Sequence, residues 1–192
     1  MAKLYFNYST MNAGKSTILL QASYNYNEGG METYLLTAAF DDRAGAGKIA
    51  SRIGIDAPSD RFTQESDLFA MITMRQGKGP VACVFIDEAQ FLNKDQVWQL
   101  ARAVDDLNVP VICYGLRVDF MGELFPGSAA LLAWADEMRE VRTICHCGKK
   151  ATMVVRQDES GRALTGGAQV QIGGNETYHS LCRRHWREAV GR

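Results

Sequence analysis

The stretch from residue 3 to residue 30 constrains this chain most. An aromatic-rich run, "KLYFNYS" (3–9), leads into "TMNAGKST" (10–17), and "KSTILLQASYNYNEGG" (15–30) then reads as a helix stopped by Gly29 and Gly30. Apolar strand, tight loop ending in Gly-Lys-Ser, then helix is the order of a phosphate-binding loop, G-x-x-x-x-G-K-[ST]. Gly14, Lys15 and Ser16 fill its last three positions, while Ser9 stands where the pattern has its first glycine. A Cβ there is tolerable only at a negative φ. In such a loop the backbone N–H groups surround phosphates and the helix N-terminus adds partial positive charge. The expected ATP-binding set is therefore Ser9, Thr10, Met11, Asn12, Ala13, Gly14, Lys15 and Ser16. Lys15 would reach the β- and γ-phosphates, and the Ser16 hydroxyl would ligate Mg²⁺.

A second motif strengthens the first. "VFIDEAQF" (84–91) is an apolar strand ending in an acid, which puts Asp87 at the carboxyl end of its strand, where open α/β sheets bind ligands. Asp87 would hold Mg²⁺ directly or through water. Glu88 is a second carboxylate, placed to accept a proton from an attacking hydroxyl. Ala89 and Gln90 extend the ATP-binding set along the same motif.

Up to about residue 140 the chain alternates strand-like and helix-like segments. Strands are predicted at 32–38, 81–87 and 109–115, and helices at 63–74, 93–107 and 127–136. Asn93 is the expected N-cap of its helix. This rhythm predicts a parallel sheet flanked by helices, of the phosphate-loop nucleotide-hydrolase type. Residues 40–61 break it: rich in glycine and charge and weakly periodic, they read as a functional or disordered connection.

From residue 143 the chain changes character. Cys145 and Cys147 are followed, after 34 intervening residues, by Cys182 and His185; three thiolates and an imidazole form a closed set, as structural zinc requires. His146 is expected to be turned away by its neighbours, and His179 to lie on the surface. Cys83 and Cys113 sit inside apolar runs and read as small core hydrophobes. The expected division is a nucleotide-binding domain at 1–142 and a zinc-binding domain at 143–192. A formal net charge of −1 without a basic run argues against nucleic-acid or membrane surfaces. No apolar stretch of bilayer length and no signal-peptide pattern is present, so a cytoplasmic protein is expected.

Together "MNAGKST", "DEAQF", "YGLRVDF", the C-x-C…C-x-x-H set and "IGGNETYHSLC" resemble the type II thymidine kinases over essentially the whole chain. The resemblance implies that loop 9–16 binds the donor ATP and that Glu88 takes the proton from the 5′-hydroxyl of thymidine. Arg43 falls where the family has an arginine close to that hydroxyl. The thymine pocket would comprise Met11, Phe91, Leu116, Phe120, Phe125 and Tyr178, with Val170, Gln171, Ile172 and Gly173 in a lasso-like loop anchored by the zinc domain. Met153 lies near where animal members carry a threonine lining the 5-methyl pocket. The resemblance further implies deoxyuridine as a second acceptor, a homotetramer, and feedback inhibition by thymidine triphosphate.

Two other readings share these motifs. A phosphate-loop ATPase switch would use Glu88 to activate water and the zinc module to bind a macromolecule. The other is a kinase of another nucleoside or of a nucleotide; a nucleotide acceptor would need further cations, for which Lys48 and Arg52 are available.

Overall fold

The computed structural model describes residues 1–40, 47–169 and 177–192. Along the chain run β1 (Leu4–Ser9), α1 (Lys15–Glu28), β2 (Thr33–Ala38), β3 (Lys48–Ala50), β4 (Asp56–Pro58), β5 (Asp60–Phe62), α2 (Leu68–Gln76) and β6 (Cys83–Ile86). After a 3₁₀ turn at Ala89–Phe91 come α3 (Lys94–Leu107), β7 (Val111–Leu116), α4 (Pro126–Trp134), β8 (Glu137–Glu140), β9 (Met153–Arg156), β10 (Tyr178–Leu181) and α5 (Arg183–Val190). Among the described residues, six of the strands form one sheet in the order β5-β2-β6-β7-β1-β8, with every pairing parallel.

Burial on both faces explains the near-continuous apolar strands. Along β6, Val84 and Ile86 join the core covered by α2, α3 and α4, whereas Cys83 and Phe85 join the core under α1. Phe6 and Phe85 are fully buried, each contributing about 1.5–3 kcal/mol of transfer free energy. The Cys83 and Cys113 thiols are likewise buried, as expected, and burial pushes the Cys83 thiol up to about 12. Asn93 caps α3 through a reciprocal box with Gln96, an arrangement worth about 1 kcal/mol.

Two expectations need correction, and one strand was not foreseen. Residues 47–62 are not a structureless connection: β3 and β4 form an antiparallel hairpin and β5 extends the main sheet at its edge. The helix expected at 63–74 is Leu68–Gln76, because the Asp67 side chain accepts from Ala70 N and starts it there. Residues 137–140, "EMRE", form β8 despite their charge. An edge strand can carry charge outward, and here Glu137 meets Lys3 at 2.7 Å and Arg139 at 2.9 Å.

A third core, built from Cys145, Ala151, Val155, Leu181, Cys182 and Trp186, lies between the antiparallel pair β9–β10 and α5. Among the described residues, no helix is long and apolar enough to cross a membrane.

Candidate active site

β1 delivers the phosphate loop and β6 delivers the acids, with β7 lying between the two strands. All three strands end on the same edge of the sheet, at Ser9, Ile86 and Leu116. A cleft of about 510 Å³ opens over that edge.

Loop geometry accounts for its sequence. Ser9 ends β1 without a positive φ, so its Cβ costs nothing, and its hydroxyl donates to the Val141 carbonyl. Asn12 (φ 62°) and Gly14 (φ 82°) adopt left-handed backbone, which turns successive N–H groups toward one concavity. A Cβ at Gly14 would meet no atom within 4 Å, so glycine is favoured there by its φ alone. Lys15 donates from Nζ to the Thr10 carbonyl at 2.8 Å, which holds its ammonium inside the loop. Residues 11–16 line the cleft, while Ser9 and Thr10 are buried behind it.

The acids stand opposite. Asp87 is only 5% exposed and accepts from Ser16 Oγ at 2.9 Å. Burial, reinforced by the Glu88 charge, raises its carboxyl to about 7, against the pull of the Ser16 hydrogen bond and of Lys15. Glu88 has φ 53°, a left-handed conformation costing a non-glycine residue on the order of 1 kcal/mol, and such strain clusters at functional positions. Gln90 locks it: Nε2 donates to Glu88 Oε2, and Oε1 accepts from Leu116 N at 3.0 Å. Gly115 permits this approach, since a Cβ there would lie 2.9 Å from Gln90 Oε1. Ala89, by contrast, is wholly buried in the core and off the cleft.

The far wall is aromatic. Phe91 packs against Phe40 at 5.5 Å and Phe125 at 6.1 Å between ring centroids. All six expected pocket residues, Met11, Phe91, Leu116, Phe120, Phe125 and Tyr178, line the same cleft. Val154 lines it too and Met153 does not. The Met153 methyl lies instead by Gly122 and Trp186, on the other face of β9. Residues 48–53 also reach the cleft, and Thr17 Oγ1 meets Ser51 Oγ at 2.6 Å. Lys48 and Arg52, the available cations, are among them, whereas Ile49, Ala50, Ser51 and Ile53 carried no signal in this weakly periodic segment. Arg43 and Val170, Gln171, Ile172 and Gly173 lie outside the described residues.

At the opposite end of β10, Cys145, Cys147, Cys182 and His185 bring their ligand atoms within 4.8 Å of one another. Cys145 Sγ is 3.3 Å from His185 Nδ1, and Cys147 Sγ is 3.9 Å from Cys182 Sγ. Tetrahedral ligands at zinc distances stand about 3.3–3.8 Å apart, so the donor set fits the ion. These four residues would hold zinc, which when bound supplies a structural staple with no open position. His146 stays outside this four-residue cluster, as expected, but its ring is not turned away: it stacks on His185 at 4.3 Å. His179 is exposed, in keeping with the surface role expected of it.

A parallel sheet with a phosphate loop and a strand-end acid on one edge defines a phosphate-loop nucleotide-binding protein. The sequence model of thymidine kinase matches residues 2–186. The thymidine kinase of Ruegeria pomeroyi is 78% identical over 191 residues, covering 100% of this chain and 96% of that protein. Those of Jannaschia sp. (75% over 191 residues, 100% and 98% covered) and Agrobacterium fabrum (63% over 188 residues, 98% and 97% covered) are also similar. The chain belongs to the thymidine kinase family.

Proposed function

We infer that the chain transfers the γ-phosphoryl group of ATP to the 5′-hydroxyl of thymidine, giving thymidine monophosphate for DNA precursor synthesis. The observation that carries this reading is the cleft in which the phosphate loop, Glu88 and the aromatic wall meet. Phosphoryl transfer needs positioning and charge stabilisation more than covalent chemistry by the protein. The loop N–H groups and Lys15 hold the β- and γ-phosphates. Ser16 and Asp87 would hold Mg²⁺, which when bound neutralises charge on the phosphate oxygens. Glu88 accepts the proton as the 5′-oxygen bonds to the γ-phosphorus and the bond to the β-bridging oxygen breaks, releasing ADP. Arg43 joins that centre, as the family resemblance implies.

The rings of Phe91, Phe120, Phe125 and Tyr178 enclose the base, as small apolar pockets do. Residues 170–173 complete that grip, in a zinc-bearing unit at 143–192 distinct from the nucleotide-binding unit at 1–142. Deoxyuridine is a second acceptor, thymidine triphosphate a feedback inhibitor, and the working form a homotetramer in the cytoplasm; family resemblance supports the first three, and the location rests on the sequence pattern.

The test is Mg²⁺- and ATP-dependent phosphorylation of thymidine, deoxyuridine, deoxycytidine, the purine deoxynucleosides and thymidine monophosphate. Turnover of thymidine and deoxyuridine alone is expected. ATP hydrolysis without a phosphorylated acceptor would overturn the reading.

A further inference from the structure

The zinc-bearing hairpin touches the phosphate loop through a serine side chain. Ser180 Oγ donates to the Met11 carbonyl at 2.7 Å, between residues 169 positions apart. Thr10 Oγ1 approaches the same oxygen at 3.4 Å, so two hydroxyls meet this carbonyl. In a strand, residues two apart share a face. Tyr178 and Ser180 therefore point the same way from β10, and Tyr178 reaches the cleft. Cys182, two residues further on, belongs to the metal cluster.

The Met11 carbonyl matters because its peptide plane also carries the Asn12 N–H. A trans peptide is planar, and its C=O and the next N–H point in opposite directions. Fixing the Met11 oxygen on Ser180 thus fixes the Asn12 N–H on the other side of the plane. Asn12 is the loop's left-handed non-glycine residue (φ 62°), where the peptide has most need of an external restraint.

We propose that Ser180 is a positioning residue for the donor nucleotide: its hydroxyl sets the Met11–Asn12 peptide so that the Asn12 N–H faces the ATP phosphates. The proposal rests on the reading of residues 9–16 as the ATP loop. Through it the hairpin serves both substrates, the nucleoside by Tyr178 and the nucleotide by Ser180.

Steady-state kinetics on the full-length, zinc-loaded protein test it, comparing Ser180→Ala, Ser180→Thr and Lys15→Ala with zinc content measured for each. Ser180→Ala is expected to raise the KM for ATP about three- to tenfold, as loss of one neutral hydrogen bond would. The KM for thymidine and the zinc content stay at parent values, and Ser180→Thr, which restores a hydroxyl, recovers most of the loss. An unchanged KM for ATP in Ser180→Ala, or equal rises in both KM values, overturns the proposal; so does failure of threonine to rescue. Lys15→Ala separates the two levels. If it too leaves ATP kinetics unaltered, the loop itself is not the donor site; if it abolishes them while Ser180→Ala does nothing, only the positioning role falls.

Discussion

Ser16 donates its hydroxyl proton to Asp87 Oδ2 at 2.9 Å, joining the first turn of α1 to the end of β6 across 71 positions. This bond holds in place a carboxylate that burial would rather keep neutral.

Stability should therefore depend on pH through Asp87. Its carboxyl rises from 3.8 to about 7 on folding, so the folded state binds this proton more tightly than the unfolded chain. The associated stability is fully present below pH 3.8 and is lost as pH rises through about 7. Urea unfolding of protein free of nucleotide and Mg²⁺ should give a ΔG that falls from pH 5 to pH 8, by on the order of a few kcal/mol from this group. Asp87→Asn should flatten that fall; an identical profile in the variant would remove Asp87 as its source.

Glu88→Gln keeps the size and the strained backbone but cannot take a proton. We expect kcat to fall about a hundredfold or more with the KM for thymidine nearly unchanged, the signature of an interaction made in the transition state. A parent-like kcat would assign the base elsewhere.

Cys182→Ser should release zinc, since the closed set loses a thiolate. With the third core so small, thermal unfolding of residues 145–190 should move to lower temperature, read from Trp186 fluorescence or hydrogen exchange. Metal content equal to the parent's would rule out the assigned ligands.

Val154 and Met153 separate base selectivity from packing. Val154→Ala should enlarge the cleft and raise turnover of larger 5-substituted deoxyuridines relative to thymidine, about tenfold in relative kcat/KM. Met153→Leu should shift Tm only. If selectivity depends on residue 153 instead, the methyl pocket lies on the other face of β9.

That last pair shows how far the sequence could be read. The phosphate loop, Asp87, the Asn93 cap and the zinc spacing were legible because each is a local pattern with its own physical cause. On β9 it is Val154 and not Met153 that lines the cleft, since in a strand a single step reverses the face, which resemblance between motifs does not resolve. β8 was missed because its charges suit an edge, and β3, β4 and β5 because three-residue strands carry too little periodicity to register. Ser180 carried no signal at all, since its partner is a backbone carbonyl at the far end of the chain.

The sheet order has a consequence for how the protein is made. Among the described residues β1 pairs with β7 and β8 alone, beginning with Leu4 against Val111 and Tyr5 against Glu137. During synthesis β1 emerges more than a hundred residues before the strands it pairs with, and contacts this distant in sequence form late and slowly. The phosphate loop can take its final shape only after residue 140 has emerged, so a nascent chain cannot assemble this loop ahead of the sheet that supports it.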